Sequence, residues 1–123
     1  MCGIIGIYQH NHLSGIREQA LRSMLSSLVH RGPDGQGIYR DDSIVLGHRR
    51  LSIIDLSTGA QPMANEDSSI HVCANGEIFN YIELREELLG KGHRFTTRSD
   101  TEVILHLDQE EGDRCVERLN GQW

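Results

Sequence analysis

The chain has 123 residues, 37% of them hydrophobic and 24% charged, with 12 basic and 18 acidic side chains and a net charge of −6. That balance suits one soluble globular domain; it excludes a disordered polyelectrolyte and a phosphate-neutralising basic surface, so no nucleic-acid partner is expected. The longest apolar runs are a few residues long, too short to cross a membrane, and the start has neither a basic segment nor a long apolar one, so no membrane or secretory partner is expected.

Residues 2–8 (Cys-Gly-Ile-Ile-Gly-Ile-Tyr) predict a short buried strand whose Gly3 and Gly6 let a backbone or ligand come close. A polar loop at 9–14 leads into an amphipathic helix over 16–29, with Leu21, Leu25 and Leu28 on one stripe and Gly32-Pro33 ending it. The turn-rich stretch 32–37 lacks the Lys-Ser/Thr of a phosphate loop, so no nucleotide is expected there. Asp41-Asp42-Ser43 predicts a hairpin turn between strands 36–40 and 44–48, and further short strands are expected at 51–54 and 69–74. Asn80 with Glu83, and Ser99 with Glu102, each match a capping box. They place one helix from 80 to 89 and another from 99 to Gly112, with a last helical turn at 114–119. Strand, helix, strands, then helices predict an α+β fold with a mostly antiparallel sheet in one domain, 1–123. The chain stops at Trp123, a large aromatic with no polar tail, which reads as a cut within a domain.

Cys2, Cys73 and Cys115 are an odd set with no Cys-x-x-Cys pair, which points to reduced thiols in the cytoplasm rather than a disulfide framework or a zinc site. None of the seven histidines lies in a His-Glu-x-x-His pattern, His10 and His12 read as a polar loop, and no metal is expected in this chain. Cys73, on the strand leading to Asn75, reads as a small core residue, Cys115 as structural, and Trp123 as core in an intact domain.

The start of the chain carries distinct chemistry. Cys2 follows the initiator methionine directly, and removal of Met1 would leave a residue with both a thiol and a free α-amine. An α-amine titrates near 7.7–8.0, so it is partly neutral at physiological pH and can take the thiol proton itself or through one water. Asn75 and Gly76, directly after a strand, can offer an amide side chain and a neighbouring N–H to a developing oxyanion, although Asn-Gly is also the commonest hairpin turn pair. Arg50, inside an apolar strand region, has the two-pronged fork that binds a carboxylate; strand alternation sends Arg49 to the other face. Glu77 and Asp100 are anions, the latter also placed to serve a helix start.

Taken in order, the segments Met1-Cys2-Gly3-Ile4-Ile5-Gly6, His30-Arg31-Gly32-Pro33-Asp34-Gly35, Arg50-Leu51-Ser52-Ile53-Ile54-Asp55, Gly59-Ala60-Gln61-Pro62-Met63, Asn75-Gly76-Glu77-Ile78-Phe79-Asn80 and Ser99-Asp100-Thr101-Glu102 form a long motif set. The whole chain thereby resembles the glutaminase domain of class II glutamine amidotransferases, in the asparagine synthetase (glutamine-hydrolysing) branch. The resemblance implies an N-terminal nucleophile hydrolase-like αββα sandwich of antiparallel sheets, truncated here at its C-terminal end. It implies hydrolysis of glutamine to glutamate and ammonia through a Cys2 glutamyl-thioester, with Asn75 and Gly76 as the oxyanion hole. By the same resemblance Arg50 holds the substrate α-carboxylate, Glu77 and Asp100 flank its α-amine, and the backbone of Leu51, Ser52, Ile53 and Ile54 edges the pocket. His30, Arg31 and Asp34 are expected to brace a loop. No cofactor is implied for this chain; ATP and Mg belong to a synthetase domain absent from it, and the partners implied are glutamine, that domain and, in some cases, a second copy. Related amidotransferases that modify sugars, peptides or antibiotic precursors share these features, and a non-catalytic scaffold is the reading from another class.

Overall fold

Three strands, β1 (Gly3–Tyr8), β2 (Gly35–Arg40) and β3 (Ile44–Arg50), build one antiparallel sheet in the order β1-β3-β2. The computed structural model describes residues 1–9, 18–53, 55 and 57–123; His10, His12 and Ile54 lie outside these, as do the first two residues of the helix expected at 16–29. The register sets Gly3 opposite Arg49 and Gly35 opposite Arg50, so the start of β1, the end of β3 and the loop before β2 converge at one end of the sheet. The β2–β3 turn forms because Asp41 Oδ1 accepts the N–H groups of Ser43 and Ile44, both at 2.7 Å. Helix α1 (Glu18–Ser27) lays Leu21 and Leu25 on one face of the sheet, where Leu21 joins Val45 and Ile7 in a small core.

A second core holds the other half together. Helices α2 (Tyr81–Gly90) and α3 (Glu102–Glu111), with a 3-10 helix at Gly112–Arg118, bury Leu84, Leu88, Val103, Leu107 and Cys115 against Ile78. Two short ribbons complete the fold: β4 (Met63–Ala64) with β5 (His71–Val72), and β6 (Glu77–Ile78) with β7 (Gly121–Gln122). The segment carrying β4 and β5 covers the sheet face opposite α1: the His71 ring stacks on Tyr39 with centroids 3.6 Å apart, and Ala74 accepts a hydrogen bond from His48. The α+β class and the antiparallel pairing are as the sequence predicts.

Several local expectations are corrected, most of them where side chains bond to backbone groups distant in sequence. Residues 51–53 form no strand: Leu51 N–H points at the Cys2 sulfur and Ser52 N–H donates to Asp34 at 2.7 Å. The strand expected at 69–74 shrinks to two residues: Ile70 N–H donates to the Asn65 side chain at one end, and at the other Ala74 N–H donates to Gln61 while its carbonyl faces His48. Neither capping box forms as read. The Asn80 amide donates to the Arg118 carbonyl and accepts from Asn120 N–H, tying α2 to the 3-10 helix instead. Glu102 reaches past Ser99 to Thr96 and Thr97, taking both N–H groups (2.7 and 2.8 Å) and both hydroxyls (3.0 and 2.5 Å). Cys73 is half-buried rather than fully buried, with its thiol donating to the Gly47 carbonyl at 3.5 Å; Trp123 is 63% exposed in this chain.

Candidate active site

A cavity of about 490 Å³ opens where the end of β3, the 74–77 segment and the entry to α3 meet, a size suited to a ligand of amino-acid dimensions. Cys2, Arg50, Leu51, Ile53, Asn75, Gly76, Glu77 and Asp100 all line it. Ser52 does not; it stands beside the wall with its N–H held by Asp34. Residues about 100 positions apart in sequence thus share one pocket, which the motif order alone did not require.

Each group is held from behind. The Cys2 carbonyl accepts a hydrogen bond from Arg31 Nε at 3.1 Å, and its sulfur receives Leu51 N–H at 3.3 Å. Arg31 and Asp34 therefore brace the loop under Cys2 and Ser52, the part expected of them. Arg50 donates to the Asp55 carbonyl, and its guanidinium lies where a side chain on Gly59 would have to go. Asp55 sits in the left-handed region (φ 51°), and its carboxylate accepts hydrogen bonds from Thr58, Ser57 and the N–H of Arg98. Those bonds, the Thr58 hydroxyl's first, hold its carboxyl well below the usual range. Arg49 does go to the other face, where its Nε donates to the Leu25 carbonyl.

Across the cavity, Asp100 is buried, with Oδ2 accepting Ile78 N–H at 2.8 Å and Oδ1 facing the Ser99 hydroxyl at 3.4 Å. Gly76 lies so close to the Gln122 carbonyl and Trp123 that an added Cβ would collide with both, so the 75–76 step is no free hairpin turn. The site sets one cation, Arg50, against two anions, Glu77 and Asp100, with a thiol between the walls. That charge pattern fits a zwitterionic amino acid.

The other thiols look inert. Burial, with the Cys2 sulfur nearby, pushes the Cys73 thiol up to about 11, and burial also raises Cys115. Among the described residues, Glu66, His93 and His106 bring ligand atoms within 4.8 Å of one another. These groups already serve protein partners: His93 meets Glu110 at 3.0 Å, His106 meets Gln109 at 3.0 Å, and Glu66 accepts Arg94 N–H.

The chain matches the model of the glutamine amidotransferase domain family over residues 1–123. It belongs to that family. It is 42% identical to asparagine synthetase [glutamine-hydrolyzing] 1 of Bacillus subtilis (strain 168) over 125 aligned residues, covering 100% of this chain and 20% of that protein. The probable asparagine synthetase [glutamine-hydrolyzing] of Dictyostelium discoideum is 47% identical, covering 100% of this chain and 22% of that protein. The corresponding protein of Brassica oleracea is 45% identical over 121 residues, 98% of this chain and 20% of that protein. The chain thus spans about a fifth of the length of these relatives. In this amidotransferase domain no described helix is long and apolar enough to cross a membrane.

Among the pocket-wall residues that sequence reasoning missed are Gln61 and Thr101, with the buried His48 behind them. Gln61 lies within the Gly59–Met63 segment, where nothing in the local pattern marks it as part of a pocket. His48 was legible only as one histidine among seven, because nothing local announces that Ala74 lies across the sheet from it.

Proposed function

We propose that this segment hydrolyses glutamine to glutamate and ammonia, as the N-terminal part of an enzyme of the asparagine synthetase type. The observation that carries the proposal is that Cys2, Arg50, Asn75, Gly76, Glu77 and Asp100 line one cavity of amino-acid size. The fold that fits this reading is part of an N-terminal nucleophile hydrolase αββα sandwich, with the three-stranded sheet and α1 as one sheet-and-helix pair. Further strands after Trp123 would complete the domain.

Met1 has first to be removed, since while it is attached the Cys2 nitrogen is an amide, and Met1 itself lines the cavity. The freed α-amine then takes the thiol proton and the sulfur attacks the side-chain amide carbon of glutamine. The oxyanion that forms is met by the Asn75 side-chain amide and Gly76 N–H. The ammonium form of the Cys2 amine returns its proton to the leaving nitrogen, the C–N bond breaks, and a glutamyl-thioester and ammonia result. A water molecule, deprotonated by the same amine, attacks the thioester and releases glutamate and the thiol. Arg50 binds the substrate α-carboxylate, and Glu77 with Asp100 binds its α-ammonium group.

No step of this sequence needs a metal or organic cofactor. ATP and Mg would serve a synthetase domain in the same polypeptide, where ammonia meets an activated aspartate. An acceptor other than aspartate would leave the chemistry at Cys2 unchanged. The cytoplasm suits three free thiols, and a homodimer is compatible with the reading. The test is Cys2→Ala in the full polypeptide with ammonia release from glutamine as readout: activity should disappear, and surviving activity contradicts the assignment.

A further inference from the structure

Ala74, the residue just before the Asn75–Gly76 pair, is gripped through both of its peptide groups by side chains from two other parts of the fold. Its N–H donates to Gln61 Oε1 at 2.7 Å, and its carbonyl lies 3.3 Å from His48 Nε2. A backbone N–H can only donate and a carbonyl can only accept, so both side chains have their orientation fixed. The Gln61 amide must present oxygen to Ala74, which turns its Nε2 toward the Thr101 hydroxyl at 3.4 Å. His48 must carry its proton on Nε2. Its Nδ1 is then a bare nitrogen, buried and without a partner, in a side chain with no exposed surface. Burial first, and the Arg50 charge with it, lower the His48 pKa against the opposing pull of the Ala74 carbonyl, a balance that favours the neutral Nε2–H form.

These contacts reference one short segment to both substrate-binding walls. His48 lies two residues before Arg50 on β3, on the same sheet face, so its bond ties Ala74 to the strand carrying the cation. Gln61 ties Ala74 to Thr101, next to Asp100. At the far end of the segment, Ile78 N–H donates to Asp100 itself. Residues 75–77 are thus suspended between two fixed points, with the 100–101 pair serving both.

We propose that Gln61 and His48 are positioning residues for glutamine hydrolysis: they clamp Ala74 so that the Asn75 amide and Gly76 N–H meet the oxyanion at the point Arg50 and Asp100 dictate. This rests on the reading of Cys2 as the glutaminase nucleophile. Substrate ground-state contacts lie with Arg50, Glu77 and Asp100, and the clamp acts on the charge that appears in the transition state, so its loss falls on kcat rather than KM.

The experiment compares Gln61→Met, His48→Leu and His48→Gln with the unaltered full polypeptide, measuring glutamine hydrolysis and the binding of L-glutamate. Gln61→Met keeps the side-chain length and loses both hydrogen bonds; His48→Leu removes the donor, and His48→Gln places an amide N–H near the Nε2 position. Misplacing a transition-state donor by about an ångström costs up to roughly 100-fold. Gln61→Met and His48→Leu should therefore lower kcat by about 10- to 100-fold, with KM and glutamate binding within about twofold, and His48→Gln should recover most of the His48→Leu loss. A kcat within threefold of the unaltered protein overturns the clamp. So does a variant that no longer binds glutamate, which makes the residue one of folding alone, and so does equal activity in His48→Leu and His48→Gln. If the unaltered protein releases no ammonia from glutamine, the glutaminase reading itself fails, an outcome distinct from these.

Discussion

Replacing Glu102 with Gln tests how the α3 entry, and with it Asp100, is held. Glu102 is 3% exposed, and its carboxylate collects four hydrogen bonds, from the N–H and the hydroxyl of both Thr96 and Thr97. Burial alone would raise its pKa. The nearby His106 and the Thr96 and Thr97 donors outweigh burial and hold it at about 2, against the usual 4.5. At about 1.4 kcal/mol per pH unit that gap is roughly 3 kcal/mol in favour of the folded carboxylate. A count of bonds agrees: Gln keeps one acceptor oxygen and turns its NH2 group toward the other threonine's N–H, losing about one charge-assisted bond worth roughly 1.5–3 kcal/mol. Urea unfolding at pH 7 should therefore show Glu102→Gln destabilised by about 2–3 kcal/mol. The unfolded carboxyl titrates near 4.5 and the folded one near 2, so the stabilisation is complete above pH 4.5 and is lost as pH falls toward 2. The difference between the two proteins should shrink over that window. A loss below about 0.5 kcal/mol at pH 7, or a difference that grows on acidification, would mean that the Glu102 carboxylate does not hold the α3 entry.

Arg50→Lys keeps the charge and loses the fork that reaches both the pocket and the Asp55 carbonyl. The KM for glutamine should rise about 10-fold or more with a smaller effect on kcat, and a KM within twofold contradicts the carboxylate role. Cys73→Ser should keep glutamine hydrolysis within about threefold, and the native Cys73 thiol, held protonated by burial to about 11, should resist alkylation at pH 8 in the folded protein. Loss of activity in Cys73→Ser contradicts the assignment of Cys2 as the one nucleophile.

The α+β order, α1, and the β2–β3 hairpin were legible because each follows from short-range signals: the Leu21–Leu25 stripe, the Asp41 turn, the glycines after the helices. The site was legible as a set of residue types: a cysteine directly after the initiator methionine, an arginine in an apolar strand, an Asn-Gly-Glu step and an aspartate at a helix start. What stayed hidden was long-range hydrogen bonding. Ser52 looked like strand because its sequence is apolar on both sides, yet Asp34, 18 residues away, takes its N–H. Asn80 and Glu102 looked like caps of their own helices, yet Asn80 serves Arg118 and Asn120, and Glu102 serves Thr96 and Thr97. Ala74 lies beyond the end of β5, its peptide groups held by Gln61 and His48. A pattern reader assigns a polar side chain its nearest partner, and here the geometry of the pocket rim decided otherwise.

The most direct test of the central claim is the intact mass of the protein before and after exposure to a glutamine-shaped diazo-ketone, with peptide mapping of the adduct. A glutaminase nucleophile at Cys2 requires a chain that begins at Cys2 and gains a single adduct on that residue, blocked by excess glutamine. Labelling on Cys73 or Cys115 in its place, or no labelling of a full polypeptide whose Met1 has been removed, would contradict it.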